Sequence, residues 1–209
     1  MPRCSCEIWW RNCARSKTCR CFTIVDGKPL PVGGASGAPE ARCGRGAGMW
    51  AKGYKLFAIW GNRPAPEAYR IDSMNTSEDE VAAELASEDR GGGDMRGDDE
   101  FDTNSVYDAA GTAGYQILAP REDPDAGLGH HDQSPYRLRC IDLMRTNFGH
   151  DLYHLRGGIE RTFANLTSFG GGLAPLPAWV RHENRVRMWV SAKILINAER
   201  IMRNKRLAA

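Results

Sequence analysis

The sequence contains no run of 18 or more apolar residues, so it offers no segment long enough to cross a bilayer as a helix. The first residues, MPRCSCEIWWRNC, also lack an apolar stretch of the length that a signal peptide needs. No internal repeat is visible along the 209 residues. These absences predict a cytoplasmic protein that is not bound to a membrane.

Cysteine pairs with zinc-binding spacing are missing as well. Structural zinc sites usually pair cysteines two to four residues apart, and a disulfide framework is not expected without a secretion signal. We therefore predict that residues 1–18 form an irregular leader, with metal binding by its cysteines as the alternative. Five of the seven cysteines crowd the first 21 residues, in the pattern C-x-C-x6-C-x5-C-x-C: Cys4, Cys6, Cys13, Cys19 and Cys21.

Net charge is small, at +2, and does not by itself indicate a nucleic-acid-binding protein. The charges are segregated, however, because residues 72–102 are acidic and residues 181–206 are rich in arginine and lysine. Such a chain could bind a cation and a polyanion together, or it could simply have two solvated faces of opposite sign. With 42% apolar and 26% charged residues, it has the composition of one soluble globular domain.

The hydrophobic pattern predicts a mixed α/β fold in which helices pack on a sheet, in the order β-β-β-α-β-α-β-α-α-α. A fourth strand is expected just before Asp98. Ser77 and Glu80 have the spacing of a capping box, and Asp102 can cap the helix that follows it. The other predicted strands are 19–27, ending in an Asp-Gly turn, 52–60, 66–74 and 115–120. A loop is predicted over 28–48, and helices over 77–90, 103–114, 134–146, 153–169 and about 178–205.

Two of these helices have a clear apolar face. The terminal helix has a stripe at steps of four, and the 153–169 helix has a stripe that would pack on the sheet. Tyr153, Arg156, Glu160 and Thr167 lie along one flank of the latter. The two stripes are Val186, Val190, Ile194, Ala198 and Met202 in the terminal helix, and Leu152, Leu155, Ile159, Phe163 and Leu166 in the other.

The flank of the 153–169 helix allows two interpretations. Arg156 and Glu160 could be an i,i+4 surface ion pair worth only about 0.3–0.5 kcal/mol. Gly157 and Gly158 argue for a functional surface, since each costs about 1 kcal/mol relative to alanine in a helix. Their missing side chains would let a neighbouring helix or a nucleic-acid strand approach closely.

Two further acids shift the balance towards function. Asp26 closes the first strand, and Asp98 follows the fourth. Together with Glu160 at the rim of the sheet, they could supply the three oxygen donors that Mg²⁺ or Mn²⁺ requires. Each acid alone could be structural, because Asp26-Gly27 reads as an ordinary turn and Asp98 as a loop acid. The spacings are 72 residues from Asp26 to Asp98 and 62 from Asp98 to Glu160.

Three blocks of the chain resemble the DDE transposases of bacterial insertion sequences, over roughly residues 19–206. They are IVDGKPLPVGG…AKGYKLFAIW, GDDEFDTNSVYDAAGTAGYQILAPR and YHLRGGIERTFANLTSFGGGLAPLPAWVR. The third block is similar to the signature Tyr-x2-Arg-x3-Glu-x6-Lys of this family, with Thr167 in the place of the lysine. In the second block, Asp98 matches the aspartate of the family because Phe101 and Asp102 then match its aromatic-acid pair, and Asp99 is a possible substitute.

The resemblance implies a ribonuclease-H-like fold with a central mixed five-stranded sheet and a long C-terminal helix. It also implies metal-dependent cleavage of DNA phosphodiester bonds followed by strand transfer, in the bacterial cytoplasm at the nucleoid. Asp26, Asp98 and Glu160 would hold two Mg²⁺ or Mn²⁺ ions. His130 and His131 are less suitable ligands, because these ions prefer oxygen donors. The expected partners are transposon ends, target DNA and other copies of the chain on DNA, with no membrane and no small-molecule cofactor. The expected contacts to DNA phosphates are Tyr153, Arg156, Arg161, Lys52 and Lys55, with solubilising surface charge as the alternative for the two lysines.

The start of the chain leads to one more expectation. Only 25 residues precede Asp26, fewer than the N-terminal region with which such transposases recognise terminal repeats. A truncated, catalytically inactive remnant that at most binds DNA is therefore the alternative function. A metal-dependent nuclease without strand transfer and a purely structural interaction protein are two further alternatives.

Overall fold

The computed structural model describes residues 23–34, 36–46, 48–89, 91–157, 162–166, 173 and 175–207. The described residues form strands β1 Thr23–Pro31, β2 Arg42–Arg45, β3 Trp50–Trp60, β4 Ala68–Ser73, β5 Gly93–Arg96 and β6 Tyr115–Leu118. The helices are α1 Glu78–Glu88, α2 Asn104–Thr112, α3 Pro135–Met144, α4 Asn147–His154 and α5 Glu183–Leu207, with 3₁₀ turns at Asp99–Phe101 and Leu155–Gly157. Residues 162–166 are also helical. The predicted leader, residues 1–18, lies outside the described residues.

All of these strands belong to one mixed sheet. Its main path is β2-β3-β1-β5-β6, and β4 also pairs with β3. The pairings of β3 with β1, β2 and β4 are antiparallel, whereas β1, β5 and β6 run parallel. The path β4-β3-β1-β5-β6 is the mixed five-stranded sheet of the ribonuclease-H-like fold predicted from the sequence, and β2 adds a short sixth strand beside the first residues of β3.

The sheet is the middle of three layers, because successive residues of its central strands point to opposite faces. Ile24 of β1 packs in a first core with Val186 and Val190 of α5. Its neighbour Val25 packs in a second core on the other face, with Val81 of α1 and residues of α2 and α3. Strand β3 divides in the same way, with Leu56 and Ala58 in the first core and Phe57 and Ile59 in the second.

Strand β1 corrects the prediction at Asp26. The Asp-Gly pair does not end the strand, because Asp26 and Gly27 pair with Ala58 and Phe57 of β3 and the ladder continues to Pro31. Part of the predicted 28–48 loop is therefore strand, and so is β2. Beyond Ile24, β1 pairs with β3 alone among the described strands.

The structure confirms the predicted helices that correspond to α1, α2 and α3 and the predicted strands that correspond to β3 to β6. The N-terminal caps of α1 and α2 differ from the prediction. Ser77 lies at the N-cap of α1, but its hydroxyl bonds Asp79 and makes no cap hydrogen bond to the helix. Thr103 rather than Asp102 is the N-cap of α2. The Asp102 carboxylate instead accepts two hydrogen bonds from Arg137, at 2.8 and 2.7 Å, which tie α3 to this loop.

The terminal helix α5 begins at Glu183, about five residues later than predicted. Four members of its apolar stripe are buried in the first core or beside it, while Met202 is 37% exposed. Over the described part of the chain, no helix combines the length and apolarity needed to span a membrane.

The predicted helix over 153–169 is not one continuous element. Helix α4 ends at His154, and a 3₁₀ turn follows. Leu152 and Leu155 pack with the second core, whereas Phe163 and Leu166 belong to the first. The predicted single apolar face is therefore wrong, because these two pairs pack on opposite faces of the sheet.

Candidate active site

The parallel pairing of β1 with β5 sets the position of the first two acids. Thr23 pairs with Met95 and Ile24 with Arg96, so partners differ by 72 residues, which is also the separation of Asp26 and Asp98. Asp98 keeps an extended backbone, with φ −85° and ψ −172°. Asp26 and Asp98 lie two residues beyond the last paired residues, Ile24 and Arg96. If the register continued over these two residues, the aspartates would stand opposite each other on the same face of the sheet.

The carboxylate of Asp98 lies at the edge of the buried interior, with its side chain 24% exposed. Its Oδ2 accepts a hydrogen bond from Nη2 of Arg156 at 3.2 Å. Its Oδ1 is buried and has no hydrogen-bond partner among the described residues. Burial raises the pKa of Asp98, and the carboxylates of Glu100 and Asp99 add to that rise, whereas the Arg156 guanidinium and the backbone N–H of Glu100 oppose it. A cation beside Oδ1 would satisfy this atom and favour the ionised form.

Asp26 is half-buried on β1. Its Oδ1 accepts a hydrogen bond from the N–H of Gly27 at 2.8 Å. A Cβ at position 27 would lie 2.8 Å from Oε2 of Glu78, so glycine allows the first turn of α1 to approach β1 closely. Gly27 thus lies where β1 meets α1, and the side chain of Asp26 points to the opposite face of the sheet.

Lys55 is placed differently from the predicted phosphate contact. Its side chain is only 6% exposed, and its ammonium pairs with the carboxylate of Glu78. Burial raises the pKa of Glu78 to about 7, with Lys55 acting in the opposite direction. A buried lysine with a partner in its own chain is not available to a DNA backbone, so Lys55 is not among the residues proposed to contact DNA.

Lys52 is half-buried near the start of β3, where its Nζ donates to the backbone carbonyl of Ser36 at 2.6 Å. It lies six residues before Ala58, the partner of Asp26, which corresponds to about 20 Å along a strand. The structure does not bring Lys52 close to the two aspartates.

Tyr153 and Arg156 lie where α4 gives way to the 3₁₀ turn. Burial raises the pKa of Tyr153, and the nearby charges of Arg156 and Asp98 lower and raise it, respectively. Tyr153, Arg156 and Asp98 are therefore near neighbours, although α4 ends at His154 and does not continue as the predicted helix. The Arg156 side chain is 25% exposed, which leaves it accessible to a ligand.

Arg96 is the residue of this region that the sequence pattern misjudged. Adjacent charged residues such as Asp94 and Arg96 are costly to bury in a strand, yet Arg96 is fully buried. Its Nε donates to the backbone carbonyl of Leu152 at 2.6 Å. This bond holds α4 against the strand that leads to Asp98. In the sequence, the feature that could have indicated this role is an arginine within a strand of only four residues.

The remaining predicted residues add nothing to this geometry. Glu160, Arg161 and Thr167 lie outside the described residues. Within the described ranges, no three His, Cys, Asp or Glu side chains are grouped so that they could hold a metal ion. His130 and His131 are exposed in the loop before α3.

The ribonuclease-H-like sheet, in which Asp26 and Asp98 share the 72-residue offset of the β1–β5 pairing, can be compared with known families. The model of the transposase DDE domain family matches residues 17–195. The chain therefore belongs to the transposase DDE domain family. Comparison with curated proteins and with solved structures found no match.

Proposed function

We propose that this chain is the catalytic domain of a transposase that cleaves DNA phosphodiester bonds with divalent metal ions and then transfers the DNA strand. Membership of the transposase DDE domain family supports the reaction class. The observation that carries the assignment to residues is the β1–β5 register, whose 72-residue offset equals the separation of Asp26 and Asp98. Two aspartates brought together in this register would repel each other, and a divalent cation would supply a counter-charge in addition to that of Arg156.

Carboxylates such as those of Asp26 and Asp98 suit Mg²⁺ or Mn²⁺. The buried Oδ1 of Asp98 accepts no hydrogen bond within the described structure, as expected of a ligand atom. In the proposal Asp26, Asp98 and Glu160 hold two such ions. When bound, the ions would supply Lewis-acid activation of the attacking oxygen and charge stabilisation of the leaving oxygen.

The neighbouring side chains would bind and orient the DNA. Arg156 offers a planar guanidinium that can donate two hydrogen bonds to one phosphate. Tyr153, which lies beside Arg156, can donate from its hydroxyl on the same side. Arg161 and, farther from the aspartates, Lys52 would add contacts that do not depend on base sequence. Association of several copies on DNA is part of the same proposal.

Conversion of supercoiled plasmid to nicked circles in Mg²⁺ or Mn²⁺ tests the proposed activity. We expect the parent protein to nick DNA and the variants Asp26→Asn and Glu160→Gln to lose nicking, because each replaces an anionic ligand by an amide. Glu199→Gln, at an exposed position of α5, is the matched control and should nick like the parent. Cleavage at the parental rate by Asp26→Asn or Glu160→Gln would refute the metal-ligand role.

The products of the same reactions separate the alternatives. Joined DNA molecules indicate strand transfer, whereas nicked circles alone indicate a metal-dependent nuclease. DNA binding by the parent protein without any cleavage would identify an inactive remnant and overturn the catalytic proposal.

A further inference from the structure

Two histidines lie one turn apart on the exposed side of α4. His150 and His154 are both exposed, and Nδ1 of the first ring is 3.2 Å from Nε2 of the second. The ring centroids are 5.2 Å apart and the ring planes are inclined by 51°. The rings therefore meet through their nitrogen edges rather than through stacked faces. The i,i+4 spacing, which places both side chains on one face of a helix, fixes this arrangement.

The separation of the two nitrogens matches what one metal ion requires. Zinc binds histidine nitrogen at about 2.0–2.1 Å, and two ligands in a tetrahedral site then lie about 3.3 Å apart. The observed 3.2 Å corresponds to an N–Zn–N angle of about 103° at these bond lengths. The two nitrogens are therefore already at the separation that a shared ion requires, and each ring would turn so that its lone pair points at the ion.

The donor atoms also determine which ions the pair would select. Imidazole nitrogen suits Zn²⁺, Ni²⁺ and Cu²⁺, whereas Mg²⁺ prefers oxygen ligands. Without an ion, one ring donates its N–H to the lone pair of the other. With an ion, the donor ring takes its other tautomer, in which the proton has moved to the nitrogen remote from the ion, so both neutral rings offer a lone pair and no proton is lost overall. Water can complete the coordination because both rings are exposed.

We propose that His150 and His154 form a chelating site for one nitrogen-preferring divalent transition-metal ion, with Zn²⁺ as the probe. This site differs in ligand chemistry from the carboxylates proposed to hold Mg²⁺, and it does not depend on their function. Its occupation would cross-link the last turn of α4. That turn contains Tyr153 and leads into the 3₁₀ turn that carries Arg156, so the ion would stabilise the segment beside Asp98.

Long-range ¹H–¹⁵N spectra of the five histidine rings in the full-length chain test the site during titration with ZnCl₂. We expect two ring signals, assigned as His150 and His154 through single alanine variants, to shift together and saturate. The signals of the other histidines should remain in place, and MgCl₂ should not reproduce the shifts. Because the N-terminal cysteines also attract zinc, the titration is repeated with these five residues replaced by serine.

The variants supply the controls. His150→Ala should abolish the response of His154, and His154→Ala that of His150, because one exposed imidazole is a weak ligand. Alanine favours the helix, so α4 should persist in both variants. The double variant His130→Ala/His131→Ala, in an exposed loop, should bind zinc like the parent. A His154 signal that still responds after His150→Ala, or equal responses from His130 and His131, would overturn the proposal.

Discussion

Arg96 of β5 donates from its Nε to the backbone carbonyl of Leu152 in α4, at 2.6 Å, in a fully buried position. The bond joins two segments that lead directly to the candidate site, because Asp98 follows Arg96 and Tyr153 follows Leu152. Burial lowers the pKa of Arg96, while the carboxylate of Asp94 favours its charged form. A charged side chain is therefore used here as a link between strand and helix.

Replacing Arg96 by methionine should destabilise the protein. The substitution keeps an apolar stem of similar length but removes a charge-assisted hydrogen bond, which contributes about 1.5–3 kcal/mol. We expect the free energy of unfolding to fall by about this amount in urea denaturation. Arg139→Ala is the control, since Arg139 also acts on Asp94 but is exposed, and it should change stability by less than about 0.5 kcal/mol. A methionine variant as stable as the parent would show that the link is not needed.

Asp98→Asn should separate metal binding from folding. Burial raises the pKa of Asp98 above its unfolded value, so the ionised carboxylate destabilises the folded state at pH 7 in the absence of a cation. Asparagine removes this penalty, although the lost ion pair with Arg156 offsets part of the gain. We expect Mn²⁺ at 100 times its dissociation constant to stabilise the parent by about 2.7 kcal/mol and to leave the variant unchanged. Thermal unfolding with and without Mn²⁺ measures both effects.

Asp99→Asn is the matched control for this prediction, because Asp99 is the adjacent acid and is exposed. It should retain the full Mn²⁺-dependent rise in melting temperature. If Asp99→Asn loses the response and Asp98→Asn keeps it, the second metal ligand is Asp99, and the register argument that selects Asp98 is wrong.

Much of the fold follows from local sequence patterns. The alternating or continuous apolar runs of β3, β4 and β6 and the periodic segments of α1 to α3 are consistent with their burial, so pattern and structure agree. The sequence also gives the 72-residue separation of Asp26 and Asp98. Its meaning, however, depends on the β1–β5 register, which only the three-dimensional pairing reveals.

The differences arise where tertiary pairing overrides local preference. Asp26-Gly27 reads as a turn, but β3 pairs with it along the ladder. Pro29 and Pro31 fit in β1 because the even-numbered residues direct their backbone N–H groups towards β3. The hydrogen bond from the Val32 N–H to the Lys52 carbonyl shows this alternation. The missing N–H groups of the prolines therefore face away from β3.

Glu78 should make stability depend on pH between about 4.5 and 7. Burial raises its pKa to about 7, compared with about 4.3 in an unfolded chain. The folded protein therefore binds more protons than the unfolded one in this range, and this contribution to stability decreases as the pH rises. Relative to Glu78→Gln, the parent should lose unfolding free energy from pH 4.5 to 7 and no more above it. Glu80→Gln, an exposed change in the same turn, should show a constant difference from the parent across the range.

Arg156→Ala should weaken DNA binding and reduce its dependence on salt. If Arg156 neutralises one phosphate, its removal lowers the slope of log K against log salt by about one. Arg156→Lys should keep that slope while losing affinity, because an ammonium cannot donate in the bidentate fork geometry. Arg145→Ala removes an equal charge that pairs with Asp142 in an exposed position near the start of α4, and it should leave the slope unchanged. Fluorescence anisotropy with labelled duplex at several salt concentrations measures all three variants. Equal slopes for the parent and Arg156→Ala would exclude the phosphate contact and leave Arg156 only its ion pair with Asp98.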